Sequence, residues 1–451
     1  MGLAGCEKQL DLKPYSSVDA ATALNSQDKV TSAVVGLYGE LDNSSLYGTD
    51  LILLPELLAV DDYINFQGTF ANYRNIATRT TNALNSSAET TWREAYQEIN
   101  QTNLVIDALP NVADATLKAT YEGEALFIRA LMYYNLVNLY AQQYVPGGAN
   151  AQPGVPISLV PVKTLEEASV LGSRASVAEV YTQILTDLSQ AVKLLPTANG
   201  VRASRYTAQA LLARVYLQQS NFAAARLAAN DVITSSGKAL SPTLQAVFTN
   251  RNSSETLLEI QQNDQNNAGT SNSGLATFFA SIGQLGRGDV QVLTTFANQY
   301  EATDARGKAA LLYTGTGTRP GSLRSGKWTA YGQNIPVIRL AEMYLIRAET
   351  AFRAGDVTTA LDDINRIRTR SSATPLTTSN LTLAAILKER QLELAFEGFR
   401  IYDLKRTNTD LVKTASNGTT TVTSITDPIL VLPIPQREIN VNANLVQNEG
   451  Y

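Results

Sequence analysis

The chain has no histidine among its 451 residues. That excludes Ser-His-Asp and Cys-His nucleophilic machinery, and any His-ligated zinc or iron site. It has one cysteine, which removes Cys-rich metal centres and intrachain disulfides. It lacks a long hydrophobic run. The longest, Leu51 to Val60, is about half a bilayer span and contains Pro55 and Glu56. It also lacks a basic excess, with 36 Lys+Arg against 41 Asp+Glu and a formal net charge of -5. No basic stripe is interleaved with aromatics, so no nucleic-acid partner is expected. What survives is chemistry by carboxylates, Lys, Tyr or Ser, and binding by stacking and hydrogen bonds. No cofactor and no metal are expected. Hydrophobic content of 44% and charged content of 17% are those of an ordinary folded chain. The length allows a large core and permits two or three domains.

The lone cysteine, Cys6, follows Leu3-Ala4-Gly5. Leu-Ala-Gly-Cys resembles the bacterial lipobox, in which the cysteine sulfur receives a lipid; the alternative is an incidental N-terminal cysteine. On the lipobox reading, Met1-Gly2 replaces an apolar signal region, and the native protein is anchored to a membrane without spanning it. Residues 7–27 are polar and turn-forming, suited to a tether.

Helical periodicity begins beyond the tether. Thr91 to Leu109 places Trp92, Ala95, Tyr96, Ile99, Leu104 and Ile106 mostly on one face, and Pro110 stops it. Glu122 to Tyr140 reads as a second long helix. A Pro/Gly-rich loop follows from Pro146 to Pro161. Ala208 to Ile233 and Glu342 to Arg368 share one plan: alanine-rich helices joined by a short polar turn. Small residues where antiparallel helices cross are the mark of a tetratricopeptide hairpin. Helices over Trp92–Tyr140 and Ser176–Tyr216 could supply further pairs. Loop material is expected over about 42–90, 234–335 and 407–451. Glu255 to Ile260 reads as a short strand. It runs into Gln261–Gly274, a tract of Asn, Gln, Ser, Thr and Gly suited to an exposed loop.

Two C-terminal runs carry more. Lys388 to Arg406 has Leu392, Ala395, Phe396 and Phe399 at helical spacing, with Glu389, Arg390, Glu393 and Glu397 between them, and reads as one amphipathic helix. Leu432-Pro-Ile-Pro-Gln-Arg-Glu-Ile439 has two prolines and reads as extended. Together these resemble the C-terminal signature of the SusD/RagB family. Glu124 to Tyr140, Ile338 to Glu349 and the closing Gln447-Asn-Glu-Gly-Tyr451 also resemble family blocks, in the family's order.

The resemblance implies a mostly α fold: a tetratricopeptide-like scaffold of helical hairpins with long irregular insertions and a few short strands. Its parts would be a lipobox and tether over 1–27, an N-terminal helical region over 28–233 and a C-terminal region over 234–451. It also implies a surface-exposed outer-membrane lipoprotein, not an enzyme. Such a protein captures oligomeric or polymeric nutrient and passes it to a TonB-dependent (SusC-like) channel. Glycan is the expected ligand class and peptide the alternative. A tetratricopeptide interaction scaffold without transport is the reading from another class.

Glu393 and Glu397, an i,i+4 carboxylate pair, are expected to ion-pair with Arg390 and Arg400 and not to do acid–base work. Gly321-Ser-Leu-Arg-Ser-Gly-Lys-Trp328 nearly spells a P-loop, but Trp328 stands where a magnesium-binding Ser or Thr belongs. Arg287-Gly-Asp289 is too short to bear weight. Asp61-Asp62 could hold calcium, or lie in a turn bonded to backbone amides. A sugar ring wants a flat aromatic flanked by amides or charges. Three loop clusters have that mix: Asp62, Tyr63, Phe66 and Gln67 with Asn72, Tyr73 and Arg74; Phe278 with Phe279; and Trp328 with Tyr331. Each aromatic could instead pin a loop to the scaffold.

Overall fold

A computed structural model describes residues 23–451 other than residue 416. Cys6 and most of the 1–27 tether lie outside the described residues.

The architecture is mostly helical. The N-terminal half contains α1 (Gln27–Glu40), α2 (Asp50–Leu58), β1 (Ile64–Phe66), α3 (Ala71–Ala77), α4 (Ser86–Ala108), α5 (Ala115–Tyr140), α6 (Leu165–Ala168), α7 (Val177–Leu194), α8 (Arg205–Gln218) and α9 (Phe222–Ser235). The insertion that follows holds α10 (Leu244–Thr249), β2 (Thr256–Ile260), α11 (Leu275–Phe279), β3 (Val290–Val292), α12 (Thr294–Ala297), β4 (Leu312–Thr314), β5 (Leu323–Ser325) and β6 (Ile335–Arg339). The chain then closes with α13 (Leu340–Arg353), α14 (Val357–Arg370), α15 (Leu383–Leu394), α16 (Arg400–Arg406), β7 (Leu411–Thr414), β8 (Thr420–Thr423) and α17 (Gln436–Val441).

The hairpins form where the small residues predict them. α8 packs on α9, and α13 on α14. Ala208, Ala210, Ala213, Ala225 and Ala229 are fully buried in the first pair; Ala341, Ala348, Ala351 and Ala360 are fully buried in the second. Helix starts are fixed by side-chain caps that satisfy orphan amides. Ser176 and Glu179 form a capping box on α7, and Asn221 and Asp356 cap α9 and α14. Although the 234–335 insertion separates the hairpins in sequence, α9 packs directly on α13. The helical stack is therefore continuous in space. One hydrophobic core holds Val30 at one end of the chain and Leu432 near the other.

Among the described residues, the four sheets are two-stranded antiparallel pairs: β1 with β3, β2 with β6, β4 with β5, and β7 with β8. The first pair matters for function. Ile64, Asn65 and Phe66 face Val292, Gln291 and Val290, joining the 42–90 region to the insertion.

Three local expectations need correction. The apolar run after position 50 is no loop but helix α2, with all nine residues buried; a helix apolar all round belongs inside the core. Lys388–Arg406 is not one amphipathic helix. It breaks after Leu394, with Phe396 at φ 66 and Gly398 at φ 84, before α16 begins. The break brings Gly398 against the backbone of Leu51 and Ile52, where an added Cβ would lie 3.1 Å from the Ile52 Cα. Its polar positions are also buried, because Glu389, Arg390, Glu393 and Glu397 sit in an internal charge cluster. Finally, the 432–439 run is extended only up to Pro435. Proline is well suited to lead into a helix, and α17 starts at Gln436.

The charge cluster pairs differently from expectation. Arg306 binds Asp304, Glu389 and Glu393; Arg339 binds Glu255, Glu393 and Glu397; Lys327 binds Glu397 at 2.6 Å. Arg370 also pairs with Glu255 and Glu393. Arg390 instead meets Asp403, and Arg400 meets Asp61. Arginine and lysine neighbours hold the Glu393 and Glu397 carboxyls below the ordinary range against the opposing effect of burial.

Candidate ligand-binding face

The structure brings the three sequence clusters together, but it turns most of their aromatics inward. The β1–β3 pair sets 62–74 beside 278–291. Tyr73 meets Phe278 edge-on at 4.9 Å and Phe66 at 6.3 Å. Tyr63 stacks on Phe396 at 5.2 Å, and Phe279 lies 6.1 Å from the same ring. Trp328 is fully buried, with its indole N–H donating to the Phe396 carbonyl at 2.9 Å.

Tyr63, Phe66, Tyr73, Phe278, Phe279 and Trp328 are all core residues. A ring with no open face cannot stack on a sugar, so these six anchor the loops and are not a platform. Asp62 and Asn72 are half-buried and committed to the fold. Asp62 accepts from the Thr414 amide and hydroxyl at 2.7 and 2.8 Å, and Asn72 donates to Ser87 at 2.7 Å. Asp61 pairs through Oδ2 with Arg400 at 2.8 Å. Tyr331 is half-buried, and its hydroxyl accepts the Gly286 amide at 3.0 Å. Arg74 is exposed.

Beside these anchors lies a polar face centred on Asp289. Strand β1 is followed by Gln67, Gly68, Thr69 and half-buried Phe70. The Arg287 guanidinium stands 4.2 Å from the Phe70 ring centroid and 5.4 Å from that of Phe278, a cation–π arrangement. Arg287 Nε donates to Asp289 Oδ2 at 3.0 Å, while Arg319 reaches Oδ1 at 3.4 Å. Gln67 donates to Gln291 at 2.8 Å and accepts from Arg324 at 3.1 Å. Arg287 also holds the Ser271 carbonyl at 3.1 Å, tying the amide-rich tract to the face.

Two glycines let these groups come this close. A Cβ on Gly68 would lie 2.4 Å from the Phe66 ring and 2.8 Å from the Asp289 carboxyl carbon. Gly288 has φ +63, and a Cβ there would lie 2.9 Å from Arg324 Nε. Arg324 is buried. Burial, with Arg319 nearby, lowers its pKa to about 10, so it remains a cation at neutral pH.

The arrangement offers a half-buried aromatic, two partly exposed guanidiniums and an amide pair, which can stack and donate hydrogen bonds to a hydroxyl-rich ligand. Phe70, Arg287, Asp289, Gln291, Arg319 and Arg324 were not singled out as site residues from sequence. The Arg287-Gly-Asp289 tripeptide and the false P-loop contained three of them. Among the described residues, no group of three or more Asp, Glu, His or Cys could hold a metal. A separate cleft of about 820 Å³ is lined by Val35, Tyr38, Asn199, Arg202 and Gln261, among others. Of its lining residues, Tyr38, Asn199 and Arg202 each bond the buried Glu124 carboxylate.

Comparison with known proteins places the chain. Residues 313–451 match the SusD family model, and residues 8–217 match the family described as starch-binding associating with outer membrane. A SusD-like protein of Formosa agariphila, P25, is 25% identical over 522 aligned positions covering 99% of this chain and 96% of that one. The starch-binding protein SusD of Bacteroides thetaiotaomicron is 38% identical over 122 residues, 26% of this chain and 22% of that protein. A SusD superfamily crystal structure from Bacteroides thetaiotaomicron superposes with a TM-score of 0.81 at 26% identity, covering 94% of this chain and 99% of the other. A laminarin binding SusD-like protein superposes with a TM-score of 0.77 at 24% identity, covering 95% and 100%. With these matches spanning both ends of the chain and the whole helical scaffold, the chain belongs to the SusD/RagB family.

Proposed function

We propose that this protein captures a glycan at the Asp289 face and delivers it to a TonB-dependent channel from the outer membrane, where Cys6 carries a lipid anchor. The observation that carries the reading is the convergence on one surface of Phe70, Arg287, Arg319 and the Gln67–Gln291 amide pair from distant segments. That mix suits the apolar faces and hydroxyls of sugars. The starch-binding description of the N-terminal match, and the named starch-binding relative, support the same ligand class.

The role is binding and not turnover. Glu393 and Glu397, the i,i+4 carboxylate pair, are buried in ion pairs and not set in an open cleft as a glycosidase's pair would be. For the channel, the 159–171 segment offers an apolar surface: Val160, Leu165 and Val170 are each more than two-thirds exposed. No helix among the described residues is long and apolar enough to cross a membrane.

The test is a glycan and peptide array probed with the soluble chain, repeated with Phe70→Ala. Selective glycan binding that is lost in the folded variant supports the reading. Binding to peptides alone would replace glycan with peptide, and binding to neither would overturn capture by this face.

A further inference from the structure

We propose that the Asp289 face takes an anionic glycan, one carrying carboxylate or sulfate-ester groups, which its arginines bind as counter-charges. This rests on the glycan-capture reading above and names the class of glycan.

The chain is acidic overall, with a formal net charge of -5, yet this face reverses the sign. Arg287, Arg319 and Arg324 gather around Asp289, whose carboxylate is almost fully buried and already shared by the first two. Arg324 makes no ion pair among the described residues. Its two terminal nitrogens donate to neutral acceptors, the Val290 carbonyl at 2.8 Å and the Gln67 amide oxygen at 3.1 Å. The Nε atoms of Arg319 and Arg324 are both buried without a hydrogen-bond partner. Arg74, exposed on helix α3 just after Phe70, reaches back to the Thr69 carbonyl at 3.5 Å and offers a further guanidinium beside Phe70.

The core treats its arginines differently. Arg306 and Arg339 each meet three carboxylates, and Arg214 forms a two-point pair with Glu342 at 2.9 and 2.7 Å. A guanidinium withdrawn from water without an anion is costly, and the fork of donors on arginine matches carboxylate and sulfate oxygens two at a time. Arg324 is fully buried and adds only to the positive field, while the partly exposed Arg287 and Arg319 present their donors to the ligand. A neutral sugar hydroxyl can accept a hydrogen bond there but cannot balance the charge.

The probes are polygalacturonate, a sulfated galactan, and the neutral glucans laminarin and amylose, titrated into the soluble chain at low and at moderate salt. The variants are Arg319→Gln and Arg74→Gln, both on partly or fully exposed side chains, with thermal midpoints confirming that they fold. The expected result is at least about tenfold tighter binding of one acidic polymer than of either neutral glucan, weakened by added salt. Each variant should cost about tenfold, the scale of one charge-assisted hydrogen bond. Which acidic polymer wins tells carboxylate from sulfate. Neutral glucan binding as tight as either acidic polymer overturns the anionic assignment and leaves glycan capture standing. So does an Arg319→Gln variant within twofold of the wild type. No binding to any of the four overturns both readings.

Discussion

Arg339→Met tests how the fold under the candidate face is held. Arg339 is 2% exposed and pairs with Glu255 at 2.9 Å, Glu393 at 2.6 Å and Glu397 at 2.8 Å. Methionine fills much of the same volume but leaves three buried carboxylates short of a partner. Each keeps another: Glu397 keeps Lys327, Glu255 keeps Arg370, and Glu393 keeps Arg306 and Arg370. Breaking a buried pair costs about 3–5 kcal/mol, and the remaining partners put this case near about 3 kcal/mol. Unfolding entropy near 2.1 cal/mol/K per residue makes each kcal/mol worth about 1 °C for 451 residues unfolding as one unit. The midpoint should therefore fall by about 3 °C in differential scanning calorimetry. Arg93→Ala is the control, because Arg93 is 48% exposed in its pair with Glu94 and such pairs contribute under about 1 kcal/mol. A midpoint for Arg339→Met that falls no further than that of Arg93→Ala would refute the reasoning.

Further outcomes follow from the buried groups and the glycines. Burial raises the Glu56 carboxyl to about 7, so the folded state holds a proton that the unfolded chain has released between about pH 4.5 and 7. Stability from this group therefore falls as pH rises through that window, and Glu56→Gln should raise the midpoint near pH 8 while changing it little near pH 4. Lys405 runs the other way. Burial lowers it to about 7 with only the Asn138 carbonyl at 3.3 Å for company, so Lys405→Met should stabilise near pH 7 and lose its advantage toward pH 10.5. Trp328→Ala should destabilise by about 3–5 kcal/mol in denaturant titration, because its ring is core and not a ligand platform. Gly68→Ala should weaken glycan binding and also lower the midpoint, since its Cβ would displace the core ring of Phe66 and buried Asp289.

The scaffold was legible in the sequence because helix pairs announce themselves locally. Alanines at crossing points and Pro110 as a stop are signals within a few residues of their effect. The break at Phe396–Gly398 was not legible. Its cause is α2, more than three hundred residues away, where Glu56 accepts the Gly398 amide at 2.7 Å. The charge cluster hid for the same reason: Glu393 and Glu397 find their cations on β6 and beside β5, not one helical turn along. For the face, composition located the right loops but chose the wrong aromatics. Tyr63 and Trp328 differ from Phe70 only in what covers them, and burial is a tertiary property. The residues that remain open were discounted because Arg287-Gly-Asp289 gains meaning only when Arg319 and Gln67 arrive from elsewhere.

The most direct measurement is isothermal titration of the array's best glycan into the wild-type chain and into Phe70→Ala and Arg287→Ala, with thermal midpoints recorded alongside. Capture at the Asp289 face predicts saturable binding by the wild type and a loss of about tenfold or more in each variant, the scale of a lost stacking or charge-assisted contact, with midpoints within about 5 °C, the scale of one broken buried pair. Wild-type affinity retained in both folded variants would contradict it and move the site elsewhere on the molecule.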